Sequence, residues 1–377
     1  MSYINTGLNG YCEALLRGME LYGCSGIKHT PVGTLQSLFD PSNTAGIDFQ
    51  KTYNQRRNKP SVRVKYLQRT TINDAVDYAT CEPTIADWGY IDKTYGLTLS
   101  ASIATEISLN TLLLYCDDAT SVINSSAGSA NFGASNGYFK EHLNTYYTLM
   151  DGLRQKINEK VIAAMAANVG VNNSTGNNLP KSLCFIDAVN GGKSEKGITD
   201  LISDLAENEI NCTPLIVGFG NFFKYNTSLS YGCCNYGGLN FDAMNQAALH
   251  KFYYDTRVPK VLGASNDFFV YEPGAVQFVY YNITKPLLQN GYPNTGDTIY
   301  GMIPDELVPG LIYNMKIEKT NCAVNNGRSE IDIRWTLSLW LDFDIVFLPT
   351  DVYKDGDNLY TNNGIVNGLL RYTATAC

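Results

Sequence analysis

The chain has 377 residues, of which 44% are hydrophobic and 17% are charged, with 26 tyrosines and 33 glycines. This composition excludes a disordered chain and leaves room for two or three subdomains with buried cores. The formal charge of −8 excludes a general attraction to nucleic acid or to an anionic membrane. Met1 is followed by no basic segment with an apolar run, and no apolar stretch approaches membrane length, so we expect neither a signal peptide nor a membrane span.

Residues 1–50 have weak periodicity, which predicts an arm that lies against other structure. A short helix is predicted from Glu13 to Tyr22. The apolar residues that could pack, on the same subunit or on a neighbour, are Leu15, Leu16, Met19, Leu35, Leu38 and Phe39.

A basic stretch follows the arm, with no acidic residue between Phe49 and Asn73. Its basic residues are Lys51, Arg56, Arg57, Lys59, Arg63, Lys65 and Arg69. Two interpretations stay open: contact with phosphates or with an acidic neighbour, or a solvated strand face.

Residues 62–66 alternate between apolar and polar types, which predicts a strand with one solvated side. A second alternating run extends from Leu97 to Leu109. We expect the two runs to pair as a long hairpin whose tip contains Trp88, Tyr90 and Tyr95. Because two strands bury too little apolar surface to be stable alone, this hairpin should lie against another subunit.

The stretch from Gly137 to Asn168 contains no proline and has an apolar residue every three or four positions, which predicts one long helix. Its stripe consists of Leu143, Tyr146, Tyr147, Met150, Leu153, Ile157, Val161 and Ala164. Ser135 or Asn136 could cap its start, and Gly170 in a left-handed conformation could end it. At 1.5 Å per residue the helix would be about 45 Å long, so an equally long element must cover its stripe.

Beyond a polar linker the pattern changes to alternating strands and helices, which predicts an inserted α/β subdomain over residues 181–282. The predicted strands are Leu183–Ile186, Leu215–Val217, Phe268–Tyr271 and Val276–Tyr281, with a turn pairing the last two; the predicted helices are Ile198–Glu209 and Asp242–Tyr254.

The element long enough to cover the helix lies near the end of the sequence. From Ile331 to Leu348 every odd position is apolar, which predicts a strand of about 55 Å with one buried face. Alternating residues from Leu311 to Ile317, and an Asn326-Gly327 pair between the two runs, predict a long hairpin.

Residues that could carry chemistry are dispersed. The ten cysteines have no C-x-x-C spacing and no nearby histidine pair, so we expect reduced, mostly buried thiols and no zinc site. The segment 190–194 (NGGKS) has the position of a phosphate-binding loop, but Asp187 replaces its first glycine and would repel a phosphate, which favours an ordinary turn.

Two further signals suggest hydrolytic chemistry. Ser135 lies in a G-x-S-x-G pattern, but no apolar strand leads into it, which favours a helix cap. Asp342 and Asp344 point to the same side of one predicted strand, as paired carboxylates or ligands of a hard cation would, although charges on a solvated strand face are common. These signals do not converge on one site.

The order of elements resembles that of the major capsid proteins of tailed bacteriophages with the Hong Kong 97-type fold. The segments 251–255 (KFYYD), 268–279 (FFVYEPGAVQFV) and 342–349 (DFDIVFLP) are similar to stretches in such proteins from phages of Bacteroidetes-type hosts. The resemblance implies an α+β fold that divides into an N-terminal arm (1–50), an extended β-hairpin loop (51–118), a peripheral domain with the spine helix (119–180), an axial domain (181–282) and a return segment with the long peripheral hairpin and a C-terminal tail (283–377).

The resemblance also implies a function. The chain would assemble into hexamers and pentamers of an icosahedral shell around a double-stranded DNA genome, with no enzyme activity and no cofactor. It would be built in the host cytoplasm, remain in the virion, and contact itself, portal, scaffold and decoration proteins, and DNA non-specifically, but no membrane. The alternatives are an encapsulin-like compartment shell, or a cytosolic hydrolase that uses Ser135 or the Asp342 and Asp344 pair.

Overall fold

The computed structural model describes residues 30–43, 48–54, 59–67, 90–108, 137–189, 194, 196–208, 210, 213–225, 251–282, 298–322, 332–347 and 367–377. The strands are β1 (Asp48–Asn54), β2 (Lys59–Leu67), β3 (Tyr90–Gly96), β4 (Leu99–Ser108), β5 (Lys181–Ile186), β6 (Leu215–Gly218), β7 (Lys251–Tyr254), β8 (Asp267–Tyr271), β9 (Val276–Tyr281), β10 (Thr298–Pro304), β11 (Ile312–Cys322), β12 (Asp332–Phe347) and β13 (Leu369–Ala376). The helices are α1 (Gly33–Leu38), α2 (Gly137–Ala167), α3 (Lys196–Glu207) and α4 (Arg257–Leu262).

The chain is of the α+β class, with antiparallel and mixed sheets, and it forms two compact units. The first unit combines Met1–Thr30, Leu99–Ile157 and Tyr281–Asp342; the second combines Pro31–Thr98, Asn158–Tyr280 and Phe343–Cys377. The five-part division predicted from the sequence stays a prediction. The predicted helix from Glu13 to Tyr22 and the Asn326-Gly327 turn lie outside the described residues.

The predicted long helix is confirmed as α2, which has 31 residues. In the first unit, its residues Tyr146, Met150, Leu153 and Ile157 are fully buried. The hydroxyl of Tyr146 donates to Sδ of Met315 in β11 at 3.0 Å, so the apolar stripe of α2 faces a sheet. The helix forms because its apolar residues recur at helical spacing and the sheet removes them from water.

The end of α2 differs from the prediction, because Gly170 does not adopt a left-handed conformation. The side chain of Asn168 instead donates to the carbonyl of Ala164 at 2.8 Å, which satisfies one free carbonyl of the last turn. The amide of Gly170 donates to the carbonyl of Leu369 at 2.8 Å. Side-chain capping therefore replaces the glycine cap.

The sheet of long strands has the order β10-β11-β12-β4, and β9 also pairs with β12. The predicted hairpin is confirmed: β11 and β12 are antiparallel, from Asn314 opposite Trp340 to Cys322 opposite Asp332. The side chains of β12 alternate as predicted. Its buried odd positions are Trp335, Leu337, Leu339, Leu341, Phe343 and Ile345.

The predicted pairing of residues 62–66 with residues 97–109 is wrong. β2 pairs with β1 on one side and with β3 on the other, both antiparallel, as a three-stranded sheet. β4, which contains most of the expected partner run, joins the sheet of β12 instead. Alternation identifies a strand and its buried face but does not specify which other strand supplies the hydrogen bonds, so the error lies in the pairing.

The second unit contains a mixed five-stranded sheet with the order β5-β13-β8-β6-β7. β13 runs parallel to β5 and antiparallel to β8, and β6 runs antiparallel to β8 and parallel to β7. α3 packs Leu201 and Leu205 into the core of this unit. Aromatic rings fill the rest, with Phe222 stacked on Phe268 at 4.6 Å between centroids.

Three predictions in this region need correction. Residues 251–254 form strand β7, although the sequence suggested a helix ending at Tyr254. β8 and β9 do not pair: β8 lies between β13 and β6, whereas β9 joins β12. Sequence reasoning also missed β13, which was assigned to a tail. The signal was present, because buried Leu370, Tyr372 and Ala374 alternate with the partly buried polar residues Arg371, Thr373 and Thr375.

Residues 31–43 belong to the second unit of their own subunit, where Leu35 and Leu38 are buried. A side chain at Gly33 would place its Cβ 2.3 Å from the carbonyl oxygen of Tyr254, so only glycine lets α1 approach β7 this closely. Asn43 completes the attachment, with its side chain donating to the carbonyl of Val276 and accepting from the amide of Gly274.

Candidate functional site

The predicted basic residues belong to two strands of the three-stranded sheet. Lys51 lies in β1, and Lys59, Arg63 and Lys65 lie in β2. Arg56, Arg57 and Arg69 fall outside the described residues. Together β1, β2 and β3 contain five basic and two acidic residues, so this sheet carries positive charge on a chain whose overall charge is −8.

The strand register adds acidic residues that the linear sequence kept apart from the basic stretch. Lys65 stands opposite Asp48 in β1 and opposite Asp92 in β3. Arg63 has Gln50 and Thr94 as its cross-strand positions. The register therefore places acidic residues opposite Lys65 but none opposite Arg63.

The two predicted aspartates on β12 have different surroundings. Asp344 accepts a hydrogen bond from the hydroxyl of Thr98 at 3.1 Å and another from the amide of Ile345 at 2.8 Å. Burial raises the pKa of Asp342. Among the described residues, no group of three or more His, Cys, Asp or Glu side chains could hold a metal ion. Ser135, the other predicted catalytic residue, lies outside the described part.

The strongest charged cluster of the first unit was missed by sequence reasoning. Arg154 on α2 is 1% exposed and donates through Nε to Asp305 at 2.8 Å and through a terminal nitrogen to Asp151 at 3.1 Å. The hydroxyl of Tyr313 donates to the same Asp305 oxygen at 2.7 Å. A signal was present, because Arg154 occupies a position of the apolar stripe, four residues after Met150.

This cluster fixes the segment that joins β10 to β11. The other carboxylate oxygen of Asp305 accepts from the amides of Leu307 and Val308, at 2.8 and 2.9 Å. Burial and the negative charge of Asp305 raise the pKa of Tyr313 well above its usual range. The cluster is therefore a structural charge pair in the interior of the unit, and no substrate could reach it.

A second buried carboxylate, Asp255, attaches α1 to the second unit. It accepts from the amide of Thr34 at 3.0 Å, from its hydroxyl at 2.6 Å and from the amide group of Asn158 at 2.9 Å. Asn158 in turn accepts from the amide of Leu35 at 3.1 Å. All these donors belong to the chain itself, so Asp255 holds α1 and Asn158 of α2 in place within the second unit.

A third cluster, around Asp204 on α3, has the composition of a nucleophilic site but lacks its electrostatics. Lys181 donates to the hydroxyl of Ser174 at 2.7 Å, and both groups contact Asp204. Burial alone would raise the pKa of Asp204, but hydrogen bonds from Lys181, Ser174, Tyr372 and Asn172 outweigh it and lower the pKa. The lysine and the serine are therefore both tied to one carboxylate that also holds Tyr372 and Asn172, as in a structural hydrogen-bond cluster.

Within the described residues, no helix has the length and apolarity needed to cross a membrane.

The chain matches no protein-family model and no curated protein. It is similar to solved structures of phage capsids. For the capsid asymmetric unit of cyanophage A-1(L), the TM-score is 0.47 with 12% identity over 93% of this chain and 95% of that chain. For cyanophage Pam1 the TM-score is 0.41 with 10% identity over 90% and 92% of the two chains, and for Staphylococcus phage Andhra it is 0.37 with 8% identity over 93% and 86%. These neighbours are bacteriophage capsid proteins.

Proposed function

We propose that this chain is the major capsid protein of a tailed bacteriophage. The observation that carries the proposal is the unusual length of α2, which contacts β11 through Tyr146 and Met315, and of β12, the strand paired with β11. At their standard rises, the 31 residues of α2 span about 46 Å and the 16 residues of β12 span about 53 Å, nearly three times the usual length of such elements. The resemblance found in the sequence implies this pair as the spine helix and peripheral sheet of a Hong Kong 97-type subunit.

Two sheets of the second unit suit the remaining parts of such a subunit. The mixed sheet of β5, β13, β8, β6 and β7 would form the axial domain that meets its copies at the centre of hexamers and pentamers. The sheet of β1, β2 and β3 would be the extended loop that lies over an adjacent subunit. Each contact can be weak, because closing the shell sums many symmetry-related interfaces.

The basic surface of the loop would contact an acidic neighbouring subunit or the packaged DNA. The end of the sheet at Lys59, where no acidic residue stands opposite in the register, is the part best suited to this contact. Contacts of this kind displace counterions from phosphates without reading sequence, so they weaken as the salt concentration rises.

The test is the assembly state of the expressed full-length chain, measured by analytical ultracentrifugation and negative-stain microscopy. We expect pentamers, hexamers, sheets or closed shells. A chain that stays monomeric or dimeric at every concentration, including under crowding conditions that promote assembly, would overturn the proposal. Nuclease-protected double-stranded DNA inside native particles would separate a phage capsid from an encapsulin-like compartment.

A further inference from the structure

Two cysteines that are far apart in the sequence meet at one edge of the second unit. Cys184 in β5 and Cys377, the last residue of this sequence, are separated by 193 positions, yet their Cα atoms are 5.6 Å apart and their sulfur atoms are joined in a disulfide. This Cα distance lies within the normal range for a disulfide. It corrects the prediction that the thiols are reduced, at least for this pair.

The backbone brings the two cysteines together independently of the sulfur bond. β13 runs parallel to β5 with Thr375 opposite Cys184, and a register shift follows after Thr375. Beyond the shift, the amide of Cys377 donates to the carbonyl of Ile186 at 2.9 Å, and the amide of Ala188 donates to the carbonyl of Cys377 at 2.8 Å. These backbone hydrogen bonds do not involve the sulfur atoms, so we expect them to hold the two cysteines near each other in the reduced chain as well.

The two thiols differ in exposure. Cys377 is exposed, whereas Cys184 is only 8% exposed, and its sulfur lies 3.6 Å from the hydroxyl of Ser194. A soluble oxidant can therefore reach Cys377 first, and Cys184 can only react with a sulfur that is already beside it. The difference in exposure therefore gives the two cysteines different roles: Cys377 reacts first with the oxidant, and Cys184 then resolves the mixed disulfide.

We propose that Cys184 and Cys377 form a redox latch on β13, open as two thiols in a reducing compartment and closed as a disulfide after oxidation. With glutathione disulfide as the oxidant, the thiolate of Cys377 attacks one of its sulfurs and releases one glutathione thiol, leaving a mixed disulfide. The thiolate of Cys184 then attacks the Cys377 sulfur and releases the second glutathione thiol. The protein loses two protons and two electrons, and glutathione disulfide gains them.

The closed latch would stabilise the unit because of where β13 lies. β13 is the second strand of the sheet, between β5 and β8, and its residues Leu370, Tyr372 and Ala374 belong to the hydrophobic core. If β13 detached, the core would open to water. A bond that closes so long a loop restricts the unfolded chain strongly, so the oxidised protein should unfold at a temperature about 5–10 °C above that of the reduced protein.

The consequence for a particle rests on the proposed function. A capsid assembled in the reducing cytoplasm would have open latches, and release into an oxidising medium would close them without any change of assembly. Stability would then increase after release, when chaperones are absent and the shell has to persist.

The latch is tested on the full chain by differential alkylation and mass spectrometry, before and after treatment with glutathione disulfide. When the chain is alkylated after unfolding in denaturant, we expect label on both cysteines before treatment with glutathione disulfide and a Cys184–Cys377 cross-linked peptide after it. Cys184→Ser should accumulate the glutathione adduct on Cys377, whereas Cys377→Ser should leave Cys184 largely unmodified under the same conditions. Rapid modification of Cys184 in Cys377→Ser would overturn the proposed order of reaction.

Thermal unfolding gives the second measurement. The wild-type midpoint should fall on reduction, and the midpoint of Cys184→Ser/Cys377→Ser should not respond to reductant. If the double variant fails to fold, Cys377→Ser alone serves, because its exposed position tolerates the change. If the wild-type chain yields no Cys184–Cys377 cross-linked peptide after oxidation, the latch is refuted, even when the chain forms shells. If the chain forms the cross-link but assembles only into a small oligomer, the proposed function is refuted and the latch is not.

Discussion

The charge pair between Arg154 and Asp305 makes the interior of the first unit testable. The two side chains are 1% and 0% exposed, and their atoms approach to 2.8 Å. Asp305→Ala would leave the Arg154 guanidinium with Asp151 alone and would remove the acceptor of the Tyr313 hydroxyl. Removing one partner of a buried pair leaves a charge without compensation, so we expect a loss of about 3–5 kcal/mol in the free energy of unfolding.

Denaturant unfolding followed by tryptophan fluorescence is the assay, because two of the chain's three tryptophans, Trp335 and Trp340, lie in β12. Glu318→Ala is the matched control, because it breaks the ion pair of Lys316 and Glu318, whose side chains are 28% and 50% exposed. Since exposed ion pairs stabilise little, this variant should lower the free energy of unfolding by less than about 1 kcal/mol. Adding Arg154→Met to Asp305→Ala should recover part of the loss by removing the uncompensated charge. Equal effects of Asp305→Ala and Glu318→Ala would refute the reasoning.

Three further predictions concern other parts of the molecule. Burial raises the pKa of Glu306 from 4.5 to about 7, and neither of its carboxylate oxygens has a hydrogen-bond partner. The folded chain thus binds the Glu306 proton more tightly than the unfolded chain, so the stabilisation from this proton is complete below pH 4.5 and is lost as the pH rises through about 7. The difference in unfolding temperature between Glu306→Gln and wild type should therefore rise between these two pH values. A difference that stays constant with pH would contradict this. Gly33→Ala should lower the free energy of unfolding by about 1–3 kcal/mol, because the new Cβ would stand 2.3 Å from the carbonyl oxygen of Tyr254. Gly96→Ala is the control: its Cβ would meet no atom within 4 Å, so it should leave the free energy of unfolding nearly unchanged in the same denaturation assay. Replacing Arg56, Arg57 and Lys59 with glutamate should impair shell formation, seen by microscopy, without lowering the unfolding temperature. The control makes the same charge change at three exposed lysines, Lys196, Lys224 and Lys260. Normal shells from the first variant would reject the role proposed for the loop.

Buried polar and charged residues are the ones whose role a sequence pattern does not predict. Arg154 and Asn158 occupy buried positions of α2, and a sequence pattern reads them as interruptions of an apolar stripe. Their partners, Asp305 and Asp255, lie about a hundred or more positions further along the chain. A buried charge is stable only when its partner is in place, so its role becomes visible only with the tertiary contacts.

Strand pairing likewise shows which features the sequence predicts and which it does not. The alternation from Asp332 to Phe347 identified β12, its buried face and its hairpin with β11, because a side chain's environment in a strand repeats every two residues. It did not identify β3 as the partner of β2, nor the insertion of β13 between β5 and β8. Hydrogen bonds between strands involve backbone groups that are the same at every residue, so they leave no trace in the order of side chains.

The amino-acid sequence by itself determined the long elements of this protein: a 31-residue helix and a 16-residue strand, each recognisable because one face must be removed from water at a fixed spacing. The tertiary structure alone decided which elements pair, which carboxylates become buried acceptors, and that Cys184 meets Cys377. Periodicity is a local property of the chain, whereas these contacts join residues whose separation along the chain contains no information about their distance in space.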